Sequence, residues 1–177
     1  TFGSKVTLVE GLDNIVPNED KDISIELGKI FKRKNITMHT KSSVEKITKT
    51  KTGATVFVKG QKEIKADVVL MAIGVAGNVE KIGLENLKIA HDRGFIKVNE
   101  FLQTNVDNIY AIGDVCGPPL LAHVASFEGT LAAEHLSGKK VEPMSYDNVP
   151  GCTYCEPEIA SVGLTEKAAL DQGYEIK

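Results

Sequence analysis

The first patterned stretch is Ser4 to Glu10 (SKVTLVE), a β-branched and aliphatic run that closes on an acid and predicts a strand. Gly11-Leu12-Asp13-Asn14 is turn-rich, and after Pro17 the acids Glu19, Asp20 and Asp22 open a helix. Ile23, Leu27, Ile30 and Phe31 fall at i, i+4, i+7 and i+8, the spacing of one buried helix face. Lys32-Arg33-Lys34 closes that helix, so both ends complement its dipole. Asn35 to Thr40 predicts a second short strand, and strand, helix, strand is a βαβ unit: a parallel pair joined by a right-handed crossover.

The pattern then changes. Val44 to Thr50, Ala54 to Lys59 and Ile64 to Ile73 are strand-like and separated by the short turns Thr52-Gly53 and Gly60-Gln61, which predicts an antiparallel meander. The end of its last strand, ADVVLMAIG, is apolar on both faces and is expected to rejoin a buried sheet. Val75 to Asp92 reads as a crossover loop with one weak helical turn. Strands over Gly94 to Asn99 and Asn108 to Gly113 follow, then a helix from about Leu121 to Ser137 with Gly138 as the left-handed residue after it. Val149 to Lys177 holds a strand and a helix start without a closed core of its own. There is no internal repeat and no low-complexity segment.

Composition narrows the function classes. Of 177 residues, 42% are hydrophobic and 25% charged, as in an ordinary soluble domain, and a net charge of -3 provides no basic field for nucleic acid or an anionic membrane. No apolar run approaches a membrane span, and nothing at the start reads as a signal peptide. Three cysteines make no disulfide framework, which favours a reducing compartment. The chain opens at Thr1-Phe2-Gly3 and stops at Ile176-Lys177, inside patterns at both ends, so it is expected to be an internal piece of a longer protein.

Two places carry candidate chemistry. Glu10 ends a strand where dinucleotide-binding units place an acid on the adenosine ribose, although a solvated strand-end carboxylate is the favoured reading of that residue taken alone. Thr104 to Gly117 (TNVDNIYAIGDVCG) runs an apolar strand into Gly113-Asp114, at the strand end where ligands of open α/β sheets bind, and Pro118-Pro119 lead into a helix N-terminus. A turn with a capping Asp is the alternative there. Cys152-Thr153-Tyr154-Cys155 has dithiol spacing, but in an extended strand residues i and i+3 stand about 10 Å apart on opposite faces, too far for a disulfide. Cys116 reads as a small buried hydrophobe. His39, His91 and His135 have no ligand spacing, so no metal site is expected, and His123 reads as positional.

T-x-V-x-N-I-Y-A-I-G-D-V resembles the second FAD motif of the pyridine nucleotide–disulfide oxidoreductases, the class I flavoprotein disulfide reductases. LLAHVASFEGTLAAEHLSG is similar to the dihydrolipoamide-oxidising branch in particular, and SKVTLVE, ADVVLMAIG and PEIASVGLTE extend the likeness over essentially the whole chain. The resemblance implies an α/β fold: partial Rossmann-like NAD(P)/FAD-binding domains with a β-meander, plus the start of an α+β dimer-interface domain. Residues 1–75 would be the C-terminal part of the NAD-binding domain, 76–145 the C-terminal segment of the FAD-binding domain and 146–177 the start of the interface domain. It further implies the cofactors FAD and NAD. Glu10 would meet the NAD ribose and Gly74 would lie at NAD. Gly113 and Asp114 would hold the FAD ribityl chain, and Leu121, Ala122 and His123 would set helix N–H groups at the flavin. The family's redox Cys pair, its glycine fingerprints and its His/Glu base are not among these residues, so the piece alone is expected to be colourless and inactive.

The whole enzyme would be a dihydrolipoyl dehydrogenase, a homodimer serving the dihydrolipoyl domain of a 2-oxoacid dehydrogenase or glycine cleavage complex, in bacterial cytoplasm or the mitochondrial matrix, without nucleic-acid or membrane partners. A related FAD-dependent reductase of mercuric reductase or NADH oxidase type, or an inert structural fragment, are the alternatives. One departure stands at Val75-Ala76-Gly77-Asn78, where the family carries arginines and a proline before the asparagine.

Overall fold

The computed structural model describes residues 3–176 and divides them into two compact units. The first runs through Ala72 and includes Tyr154–Ile159 and the stretch from Leu164 onward; the second holds Ile73–Thr153 and Ala160–Gly163.

In the first unit, β1 (Thr7–Val9) and β2 (Thr37–His39) pair in parallel with Leu8 opposite Met38, and α1 (Lys21–Arg33) connects them, as the βαβ pattern predicts. Asp20 caps α1 by accepting from the Asp22 N–H. The buried face of α1 differs from the periodicity at one end. Ile23 is exposed, and Ser24 and Leu27 are the buried residues, with Ile30 and Phe31 half-buried. The Ser24 hydroxyl donates to the Ile15 carbonyl, and that bond turns the small polar residue inward in place of Ile23.

β3 (Val44–Lys49), β4 (Ala54–Val58) and β5 (Ile64–Ala66) form the expected antiparallel meander, with Val56 and Val58 in its core. Gly53 sits in its first turn with φ +159, where a Cβ would lie 2.2 Å from the Ala66 carbonyl oxygen. The meander's last strand is shorter than the sequence suggests. It stops at Ala66, and Val68, Leu70 and Ile73 are 84%, 86% and 87% exposed, outside any strand. A strand apolar on both faces needs a ladder partner and cover on each side, and this run has neither among the described residues. In the same unit Thr165 caps α4 (Glu166–Asp171) through the Ala168 N–H, and the Glu166 N–H donates to Asp20 at 2.8 Å. That bond, then the one from Asp22, holds the Asp20 carboxyl below its usual range.

In the second unit the weak helical turn is α2 (Leu84–Leu87), and β6 (His91–Asp92) pairs with β7 (Phe95–Ile96). Val79, Leu84, Ile89, Ile96 and Ala111 make one core group; Leu102 makes another with Leu131 and Ala132 of α3 (Ala122–Leu136). Asn105 cross-links the loops by accepting from the Ala90 N–H and donating to the Lys88 carbonyl. Gly138 follows α3 with φ +81, as expected for the residue that ends it.

Two expectations are corrected here. Asn108 to Gly113 is not a regular strand; a single bridge, Gln103 to Tyr110, is its only ladder contact among the described residues. Main-chain bonds from the Thr104 N–H to the Ile109 carbonyl and from the Ala111 N–H to the Leu102 carbonyl flank that bridge, and side chains add to them: the Tyr110 hydroxyl meets His135 Nδ1 at 2.9 Å while His135 stacks on Phe101. Second, β8 (Gly151–Thr153), which shares a two-stranded sheet with β9 (Ile159–Ser161), takes in Cys152 but not Cys155. Cys155 lies in the following bend, where its thiol donates to the Pro157 carbonyl at 3.0 Å.

Candidate functional site

The chain leaves Ile112 in an extended conformation and Gly113, at φ +73, turns it into a 3-10 turn over Gly113–Cys116. A positive φ admits glycine without strain. The turn packs tightly on α3: a Cβ on Gly113 would stand 3.2 Å from that of Ala125, and one on Gly129 would stand 3.2 Å from Ile112 Cδ1. Asp114 rides on this turn, exposed, and enters none of the ion pairs among the described residues.

Leu121, the first residue before α3, offers no side-chain cap, and Ala122 and His123 are exposed. The first turn of α3 thus has no side-chain cap for its N–H groups, which carry the positive end of the helix dipole. Gly113, Asp114, Leu121, Ala122 and His123 thus come from two adjoining elements of one unit. Chemically this is one exposed carboxylate acceptor beside a row of free donors. Such a pairing suits a group with hydroxyls on one side and electron-rich heteroatoms on the other.

Sequence reasoning did not single out Glu128 or Tyr146. Glu128 is only 4% exposed, and it accepts the Gly113 N–H at 2.6 Å and the Tyr146 hydroxyl at 2.7 Å. The available signal was an acid inside the apolar stretch HVASFEGTLAA. Burial, then the hydrogen bond to Glu128 and its charge, push the Tyr146 hydroxyl up to about 12. Burial and the Glu128 charge push the half-buried Cys116 thiol up to about 11, which keeps it a protonated apolar filler and not a nucleophile.

The other predicted residues stand apart from this turn. Glu10, half-buried in the first unit, follows β1 at its carboxyl end and accepts the Leu12 N–H through one oxygen at 2.8 Å, which leaves the second oxygen to accept from another donor. Gly74 belongs to the second unit, at φ +125, and a Cβ there would meet nothing within 4 Å. Its glycine is required by backbone conformation and not by a close approach. Among the described residues no cluster of His, Cys, Asp and Glu could hold a metal ion.

Residues 1–129 match the family described as Pyridine nucleotide-disulphide oxidoreductase, and residues 149–177 match its dimerisation domain. The chain belongs to the pyridine nucleotide-disulphide oxidoreductase family. The dihydrolipoyl dehydrogenase of Zymomonas mobilis is 46% identical over 182 residues, covering 99% of this chain and 39% of that protein. That of Bacillus subtilis is 44% identical, with 99% and 38% covered. Among solved structures, LpdA from Mycobacterium tuberculosis superposes with a TM-score of 0.88 at 30% identity, covering 96% of this chain and 37% of that one. The HOCl-induced flavoprotein disulfide reductase RclA from Escherichia coli gives 0.91 at 29%, with 99% and 41% covered. The chain thus spans about two fifths of the length of these relatives. No helix among the described residues is long and apolar enough to cross a membrane.

Proposed function

We propose that the chain is the central part of an FAD-dependent disulfide reductase that oxidises protein-bound dihydrolipoamide to lipoamide and reduces NAD, releasing one proton. The observation that carries this reading is the Asp114 turn set beside the uncapped N-terminus of α3. Identity of 46% and 44% to two dihydrolipoyl dehydrogenases supports the choice of substrate. Residues 1–75 supply the end of the NAD-binding domain, 76–145 the end of the FAD-binding domain, and 146–177 the start of a homodimer interface.

Asp114 accepts a hydrogen bond from a ribityl hydroxyl of FAD, with Gly113 giving the turn its conformation. Leu121, Ala122 and His123 present main-chain donors to the pyrimidine edge of the flavin ring, where positive dipole favours added negative charge. Glu10 accepts from the NAD ribose and disfavours a 2′-phosphate by like charge; Gly74 allows the chain to turn at the NAD site. FAD, when bound, supplies two-electron transfer between a dithiol and a nicotinamide. The acyl-carrier partner is the dihydrolipoyl domain of a 2-oxoacid dehydrogenase or glycine cleavage complex, in bacterial cytoplasm or the mitochondrial matrix.

The full-length protein tests this. It should carry a flavin spectrum and reduce NAD with dihydrolipoamide. A yellow protein that oxidises NADH with oxygen or mercuric ion but does not turn over dihydrolipoamide would overturn the substrate. A colourless one would overturn the flavin reading.

A further inference from the structure

Glu128 is a carboxylate that the proposed chemistry does not use. It sits in the middle of α3, between Val124 and Leu131, and is the one buried charged side chain among the described residues. Burying a carboxylate is costly unless its oxygens are taken up, so its partners indicate what it is for. One oxygen takes the Gly113 N–H at 2.6 Å and the other takes the Tyr146 hydroxyl at 2.7 Å.

The Gly113 N–H lies at the point where the chain has left its one bridge, at Tyr110, and has begun the turn that bears Asp114. No main-chain acceptor takes that N–H among the described residues, so Glu128 does what a ladder partner would do in a regular strand. The close contacts of Gly113 with Ala125 and of Ile112 with Gly129 bring the same two elements together on either side of this bond. Tyr146 retains its proton, with its hydroxyl pushed up to about 12, and so remains a donor to Glu128 at working pH.

We infer that Glu128 is a positioning residue. It fixes the turn that carries Asp114 against the α3 N-terminus, and Tyr146, just before the start of the dimerisation-domain match at residue 149, holds Glu128 in place. The inference rests on the flavin reading, since it acts through Asp114.

The test uses full-length protein stripped of flavin and titrated with FAD. Wild type is compared with Glu128→Ala, Glu128→Gln, Tyr146→Phe, Asp114→Ala and the double variant Asp114→Ala/Glu128→Gln, with the melting temperature of each apoprotein. Glu128→Ala, which leaves the Gly113 N–H without an acceptor, should weaken FAD binding by about tenfold or more. Glu128→Gln keeps an acceptor and the shape, so it should lose only a few-fold, and Tyr146→Phe a few-fold as well. The Gln effect should vanish on the Asp114→Ala background, because coupled residues are non-additive.

A purely structural role would lower the melting temperature and leave the Gln effect undiminished on that background; either an undiminished effect or wild-type FAD affinity in both Glu128 variants overturns the inference. If Glu128→Ala does not fold, Glu128→Gln and Tyr146→Phe decide by the same criteria. Wild-type FAD affinity in Asp114→Ala overturns the flavin reading and this inference together. Loss in Asp114→Ala with no change at Glu128 overturns this inference alone.

Discussion

The tripeptide Ala-Ile-Gly occurs twice, at Ala72-Ile73-Gly74 and at Ala111-Ile112-Gly113, each time at the end of an apolar run. The two copies have different fates. Ile73 is 87% exposed and Gly74 has no neighbour near its missing Cβ. Ala111 is buried, its N–H donates to the Leu102 carbonyl, and Gly113 is held by Glu128 and crowded by Ala125. Both runs have strand-like composition and neither is a regular strand. The difference is that α3 delivers side chains to the second copy, whereas nothing among the described residues covers the first. Apolar content alone makes a segment available for a sheet; a partner makes it ordered.

The largest effect follows from the uncovered copy. As an isolated 177-residue polypeptide, the chain should self-associate through Val68, Leu70 and Ile73, since an exposed apolar run invites association. Replacing all three by Lys should turn the associated form into a monomer, read as mass by light scattering. An unmodified chain that is strictly monomeric at the same concentration would remove this side of the comparison.

The anchored copy is tested next. In the full-length protein, Asp114→Ala should weaken FAD retention by about ten- to a hundredfold, the worth of a charge-assisted hydrogen bond of roughly 1.5–3 kcal/mol. Flavin content after dialysis against the wild-type control measures it. Beyond this turn, Glu10 should make the full-length protein prefer NAD over NADP, and Glu10→Ala should narrow the ratio of the two kcat/KM values. Equal efficiencies in the wild type would count against a ribose contact.

A smaller effect concerns pH. Burial raises the Cys116 thiol from 9.0 to about 11 and the Tyr146 hydroxyl from 10.0 to about 12. A raised value means that the protonated group stabilises the fold. The contribution is complete below pH 9.0 and 10.0 respectively, and is lost as pH rises through about 11 and about 12. Tyr146→Phe and Cys116→Ala should each flatten the alkaline fall of Tm by a few degrees at most. The smallest effect is expected at the paired cysteines. Cys152 and Cys155 are free thiols, one in β8 and one bonded to the Pro157 carbonyl. Replacing both by Ser should leave turnover of the full-length enzyme within a few-fold, and loss of dihydrolipoamide-dependent flavin reduction in a folded double variant would refute this.

Where a pattern is completed by residues close in sequence, reading the sequence reaches the structure. The terminal charges of α1, the turns of the meander, the single turn of α2 and the Gly138 stop after α3 are all local, and all are found close to where the pattern puts them. The reading goes astray where the outcome depends on distant contacts. Ser24 is buried on α1 where Ile23 was expected, with its hydroxyl donating to the Ile15 carbonyl, and periodicity carries no information about that distant partner. ADVVLMAIG looks like a central strand because centrality is encoded as apolarity, but apolarity does not supply the neighbours.

The sequence by itself determined the βαβ start, the antiparallel meander, the family and the Gly-Asp motif, because each is written in spacing over a few residues or in a run specific enough to recognise. Only the tertiary structure decided how Asp114 is held. The Glu128 carboxylate and the Gly113 N–H are separated by 15 residues, and Tyr146 lies a further 18 beyond Glu128. A buried carboxylate chooses its donors by which backbone and hydroxyl groups packing leaves within about 3 Å, a distance set by how α3 lies on the turn and not by the order of residues along the chain.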